Sequence, residues 1–263
     1  MKIAVLGGGN MGGAIASGIV ASHIADAGDV LVSHARPSYV EKIKAMGYEP
    51  HMTNDNIEAV RGAGMVFLAV KPWKALEVIR EIAPYMDSSS TVIASVVAGL
   101  TFDDMGRVFK DMGLKVPSMY RVIPNTAIAL GESTTFISSC NTSAEQDKKM
   151  QDIFSSLGEV FIVQESDMTA VTALSSCGIA YILKYIDAAI CGAEEMGIDR
   201  ASSQKMVMQT IRGALRLLET NGTQPQEEID KVTTPGGITL KGLEEMERCG
   251  FTSAVINGLK ASK

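Results

Sequence analysis

Residues 2–20 read KIAVLGGGNMGGAIASGIV, and the fold can be read from this stretch. Lys2–Leu6 is a short apolar run of strand character that stops at three glycines. Ile15, Ile19 and Val20 then recur at helical spacing. Between the two, Gly7, Gly9 and Gly12 satisfy G-x-G-x-x-G, whose glycines serve a tight turn, close approach to a pyrophosphate, and close helix–strand packing. The helix start adds free N–H groups and a positive dipole end. Alone the motif is weak, but here it comes after a strand and opens a helix, so dinucleotide binding outranks a ligand-free glycine turn.

Outward from this point the strand–helix rhythm repeats. Val30–Ser33 reads as a strand and Ser38–Met46 as its helix. Met65–Val70 (MVFLAV) is unbroken and apolar, as in a parallel sheet covered on both faces. Lys74–Ala83 reads as helix and Thr91–Val96 as strand, and Thr101 with Asp104 forms a helix-opening pattern. Met119–Ile123, Thr134–Ser138 and Val160–Val163 complete the strands, with a helix from about Ser143. The expectation is a doubly wound α/β domain over 1–163. At the end of the second strand, Ser33-His34-Ala35-Arg36 offers no carboxylate to bond a ribose 2′-hydroxyl, and Asp29 comes too early. The missing acid, with Arg36, favours NADPH, NADH being the alternative.

From Ser166 the strand signals cease. Val171, Leu174, Tyr181, Ile182, Tyr185, Ile186 and Ile190 recur at helical spacing, with polar breaks at Lys184, Asp187 and Glu194 that speak against a membrane span. A second helix runs from after Asp199 to Asn221-Gly222, a third begins near Pro225, and a fourth runs from about Thr239 to Gly250. So 164–263 is expected to be all-α. Its core would be thin, and a homodimer would complete it.

Composition narrows the classes of function. The chain has 263 residues, 46% hydrophobic, and a net charge of −6, which gives no electrostatic reason to expect nucleic acid. Four scattered cysteines, without C-x-x-C or a histidine at ligand spacing, argue against a metal site and a disulfide scaffold. The N-terminal run lacks the long apolar region and cleavage site of a signal peptide, so a cytoplasmic protein is expected.

Five segments in order along the chain resemble the pyrroline-5-carboxylate reductase family: LGGGNMG at 6–12, AVKP at 69–72, RVIPNT at 121–126, LSSCGIAY at 174–181 and VTTPGGIT at 232–239. The resemblance spans almost the whole chain. It implies a Rossmann domain, then a helical dimerisation domain, and reduction of 1-pyrroline-5-carboxylate to L-proline with NAD(P)H where two subunits meet. By position, it implies cofactor contacts at Leu6, Gly7, Gly8, Gly9, Asn10, Met11, His34, Asn56, Ala69, Val70, Lys71, Pro72, Ser95, Val96, Val97 and Ala98, beside the motif's Gly12 and Arg36. It also places Ser175, Ser176, Thr234, Gly236, Gly237, Ile238 and Thr239 around the substrate. The chain departs from the family pattern at Ala127, Cys177 and Ile179, and at Thr223, where glutamate and histidine often stand.

A protonated cyclic imine accepts hydride readily, so positioning supplies most of the rate. Gly236 and Gly237 would let backbone N–H groups approach the substrate carboxylate, and Thr239 would reach the ring nitrogen as hydrogen-bond partner or proton relay. Taken alone, TTPGG is ordinary turn chemistry; the upstream dinucleotide motif favours the functional reading. Lys71, before a proline at a strand end, more often positions cofactor or backbone than assists protonation, Cys177 is read as a small core hydrophobe, and Tyr181 and Tyr185 as packing residues. A reductase of another cyclic imine or of a β-hydroxy acid, and a nucleotide-binding regulator without catalysis, remain alternatives.

Overall fold

The computed structural model describes all residues 1–263, which divide into two compact units, Met1–Ser176 and Cys177–Lys263. In the first unit β1 (Ile3–Leu6) runs into α1 (Asn10–Ala21), and then β2 (Val30–Ser33), α2 (Pro37–Ala45), β3 (Met52–Thr53) and α3 (Asn56–Val60). Next come β4 (Met65–Leu68), α4 (Ala75–Ile82), β5 (Val92–Ser95), α5 (Phe102–Asp111), β6 (Ser118–Ile123), β7 (Ser133–Cys140), α6 (Ala144–Ser155) and β8 (Gly158–Ile162). They form one eight-stranded sheet in the order β3-β2-β1-β4-β5-β6-β7-β8. Every pairing is parallel except β6 with β7.

The apolar strands are buried because helices cover both faces. One core packs Ile15, Ile19, Ile43, Ile153 and Phe154 against Val5, Val32 and Phe67. The other packs Ile79, Ile82, Met105 and Phe109 against Leu6, Val66, Leu68 and Ile93. Caps set the helix starts: Thr101 and Asp104 exchange side-chain-to-backbone bonds at α5, and Ser143 with Gln146 does so at α6. The pair β3 and α3 has no distinct periodicity to announce it. Met52–Thr53 is too short for alternation, and α3 is fixed by Asp55 accepting the N–H groups of Ile57 and Glu58.

The first unit runs on past residue 163 because side chains after β8 are tied back to β6 and the loop beyond it. Arg121, buried on β6, donates to Glu165 Oε1 at 3.0 Å, and the same oxygen accepts the Phe102 N–H at 2.7 Å. Ser176 donates to the Pro124 carbonyl at 2.9 Å, and the Asn125 amide donates to Ser175 at 3.3 Å. Between α7 (Met168–Val171) and the next helix, residues Thr172–Cys177 form a π-helical turn. Such turns cluster at functional positions.

The second unit contains α8 (Gly178–Glu195), α9 (Arg200–Asn221), α10 (Pro225–Val232), α11 (Ile238–Arg248) and α12 (Phe251–Ala261). α9 starts on the Asp199 side chain and stops at Gly222 in the left-handed region. The expected fourth helix ends at Arg248. Gly250, at φ 82°, turns the chain into α12, a further helix beyond the four expected, with Phe251, Val255 and Leu259 at helical spacing. Across these five helices only Gly178, Ile190 and Ser203 are buried. Glu165–Glu195 is long and apolar enough to cross a membrane by length and composition alone, despite Lys184, Asp187 and Glu194.

Candidate functional site: a dinucleotide cleft and a hydroxyl-rich turn

The carboxyl ends of the strands flanking β1 diverge, β2 to one side and β4 to the other, the switch point where open α/β sheets bind ligands. A cleft of about 650 Å³ lies there, lined by Gly7, Gly9, Asn10, Met11, His34, Arg36, residues 69–72, Lys74 and residues 96–98. The glycines are required by geometry. Gly7 has φ +98°, and a Cβ there would stand 2.7 Å from the Ala69 carbonyl oxygen. A Cβ on Gly12 would lie 2.2 Å from the Gly7 oxygen, whereas one on Gly9 meets nothing closer than Arg36 at 4.0 Å. Gly9 is therefore open toward a ligand, while Gly7 and Gly12 let the loop close. Gly8 is packed too tightly against Ala35, at 2.5 Å, to carry a side chain.

Several expected contacts lie beneath the cleft instead of in its wall. Leu6, Gly8, Gly12, Asn56 and Ser95 are buried and line no part of it. Ser33 explains why. Its carbonyl accepts the N–H groups of Gly7 and Gly8, and its hydroxyl donates to Asn56 Oδ1 at 2.7 Å. The Asn56 amide then donates to Glu81 at 2.9 Å. These residues hold the loop from below, a supporting role that spacing alone does not separate from direct contact. Lys74 lies outside the expected set. A tight turn, with Lys74 N–H donating to Lys71 O at 2.9 Å, brings it to the cleft.

The charge of the lining suits phosphates. Arg36, Lys71 and Lys74 line the cleft and no carboxylate does. Arg36 reaches Asn10 Oδ1 at 3.3 Å, so its guanidinium lies over the start of α1. A second cavity of about 400 Å³ adjoins residues 9–11 between α1, α2 and residues 126–129. Tyr39 lines it, and burial pushes its phenol up to about 12.

The turn before α11 belongs to the second unit. Gly236 adopts φ +73°, and Gly237 caps the helix with its N–H donating to Thr234 O at 2.8 Å. That bond corrects the expectation that Gly237 offers its N–H to an anion, since a tight turn consumes it. The free donors are those of the first helical turn, from Ile238 onward. Thr234, Gly236, Ile238 and Thr239 line this turn, Ile238 being 87% exposed. Ser175 and Ser176 belong to the first unit, and their hydroxyls bond Asn125 and Pro124. Tyr181 does more than pack: its hydroxyl meets Ser262.

Fold and cleft together define a Rossmann-type, nicotinamide-dinucleotide-binding oxidoreductase with a helical second unit. Residues 165–263 match the pyrroline-5-carboxylate reductase dimerisation family, and residues 2–99 match the family of coenzyme F420-dependent NADP oxidoreductases. The chain is 32% identical to the pyrroline-5-carboxylate reductase of Synechocystis, over all of this chain and 96% of that one. It is 34% identical to reductase 1 of Dictyostelium discoideum, over 99% of this chain and 48% of that longer protein. The solved Plasmodium falciparum pyrroline carboxylate reductase with NADP bound superposes with a TM-score of 0.89, at 28% identity over all of this chain and 95% of that one. The chain belongs to the pyrroline-5-carboxylate reductase family.

Proposed function

We propose that the protein reduces 1-pyrroline-5-carboxylate to L-proline, the closing step of proline biosynthesis, with a preference for NADPH, and that it works as a homodimer in the cytoplasm. The observation that carries this reading is the glycine-cradled cleft bearing Arg36, Lys71 and Lys74 and no carboxylate, in a chain of this family. When bound, the reduced nicotinamide supplies the hydride. The chain's own residues then have three tasks. Gly7, Gly9 and the start of α1 hold the pyrophosphate, with Arg36 at the ribose 2′-phosphate. The N-terminal turn of α11, entered through Thr234, Gly236 and Gly237, receives the substrate carboxylate. The Thr239 hydroxyl bonds the ring nitrogen as the protonated imine carbon accepts hydride and becomes an amine carbon.

Ser175 and Ser176, expected around the substrate, support this arrangement through their bonds to Asn125 and Pro124. A steady-state assay with pyrroline-5-carboxylate and each cofactor tests the proposal. Turnover with NADPH at a higher kcat/KM than with NADH is expected. No turnover with either would leave a nucleotide-binding protein of another function.

A further inference from the structure

Trp73 is the only tryptophan of the chain, and it is 76% exposed although Lys71, Pro72 and Lys74 around it all line the dinucleotide cleft. The fold makes no use of the indole. α4 begins its buried face at Ala75 and continues it through Val78, Ile79 and Ile82, so Trp73 stands outside the core. Its backbone is held firmly: Pro72 occupies the first position of a 3₁₀ turn closed by the Lys74–Lys71 bond. A large aromatic presented by a rigid turn at the rim of a ligand cleft has the properties of a stacking platform.

Its place in the fold names the ring it would meet. The end of β2 receives the adenosine ribose in this fold, and His34 and Arg36 mark that end of the cleft. The residues on either side of Trp73, Lys71, Pro72 and Lys74, line that same cleft together with His34 and Arg36, which brings the turn bearing Trp73 to the adenosine end. We infer that Trp73 stacks on the adenine ring of the bound dinucleotide. The inference rests on the dinucleotide reading of the cleft.

Because the chain has a single tryptophan, its emission reports this one residue. Adenosine 2′,5′-bisphosphate, NADP⁺ and nicotinamide mononucleotide are titrated into the full-length protein, with tryptophan fluorescence and calorimetry read in parallel. The two adenine-bearing ligands are expected to change the emission at the affinities calorimetry gives, and the mononucleotide to leave it unmoved. Trp73→Ala should weaken both adenine-bearing ligands about tenfold, while Trp73→Phe stays within about threefold of the original affinity. Thermal melting of both variants should match the parent protein. Calorimetric binding of adenosine 2′,5′-bisphosphate with silent emission would overturn the stacking and leave the cleft reading standing. So would unchanged affinity in Trp73→Ala, an equal response to the mononucleotide, or emission that tracks protein concentration, as a contact between copies would give. No calorimetric binding of either adenine-bearing ligand would overturn the cleft reading and the inference together.

Discussion

Gly9 and Gly12 sit three positions apart in one motif yet do different physical work. A Cβ on Gly12 would collide with the Gly7 carbonyl at 2.2 Å, and the obstacle is backbone. Gly12→Ala should therefore lower the melting temperature and cofactor affinity together. Gly9→Ala has room, so it should melt like the parent protein while binding dinucleotide at least about tenfold more weakly, as a lost close approach would cost. Calorimetry beside thermal melting separates the two, and equal losses of stability would refute the distinction. Arg36, lying over the start of α1, should set cofactor choice. Arg36→Glu is expected to weaken NADPH far more than NADH, measured as two dissociation constants. Thr239 caps nothing, so Thr239→Ala should leave folding intact. Losing a bond to a partly charged nitrogen costs about 1.5–3 kcal/mol, roughly ten- to hundredfold in both kcat and kcat/KM. Wild-type kinetics in a well-folded variant would place the nitrogen partner elsewhere.

The corner joining α9 to α10 depends on one carboxylate. Glu228 Oε1 accepts from Lys231 at 2.7 Å, Thr223 at 2.5 Å and Asn221 at 3.0 Å. Lys231 first, then the two neutral donors, pull its pKa down to about 2 from an ordinary 4.5. A depressed carboxylate contributes stability that is complete above the unfolded value and is lost as pH falls through the folded one. The melting advantage of the parent protein over Glu228→Gln should thus be full above about pH 4.5 and fade toward pH 2. A gap that stayed constant across that range would show that the charge of Glu228 is not what holds the corner. Thr223, one of the positions departing from the family pattern, acquires a structural role here that its sequence neighbours do not suggest.

The helical unit, viewed against the rest of the protein, exposes more apolar surface than a stable monomer would leave uncovered. Ile182, Leu183, Leu215, Phe251, Val255 and Ile256 are all at least 42% exposed, and the unit buries almost nothing of its own. Tyr181, Tyr185, Met246, Phe251 and Val255 line an apolar groove of about 550 Å³ among α8, α11 and α12. The dimerisation family matched over 165–263 is in keeping with self-association through such a surface, and the same apolar side chains give Glu165–Glu195 the length and composition of a membrane span. Val255→Glu should shift the protein toward monomer in light scattering and reduce activity in proportion, if the working site is shared between subunits. A monomer with full activity would overturn the shared site.

Which features were legible in the chain depends on the range over which each cause acts. The main strands and helices apart from β3, α3 and α12, the phosphate loop, the cap at Thr101, the helix start near Ser143 and the stop at Gly222 are local. Each needs only a few neighbouring residues, so the amino-acid order was enough to establish them. Family membership was readable for the same reason, from motifs of a few residues kept in order. The remaining features needed the folded chain, because they join residues far apart. Ser33, Asn56 and Glu81 form one supporting chain from three separate elements. Arg121 meets Glu165 across 44 positions, which carries the first unit past its last strand. Gly237 turns its N–H inward to Thr234, a choice of turn geometry that composition leaves open. Burial separates the walls of the cleft from the layer beneath, and burial is a property of packing, which no run of neighbouring residues contains.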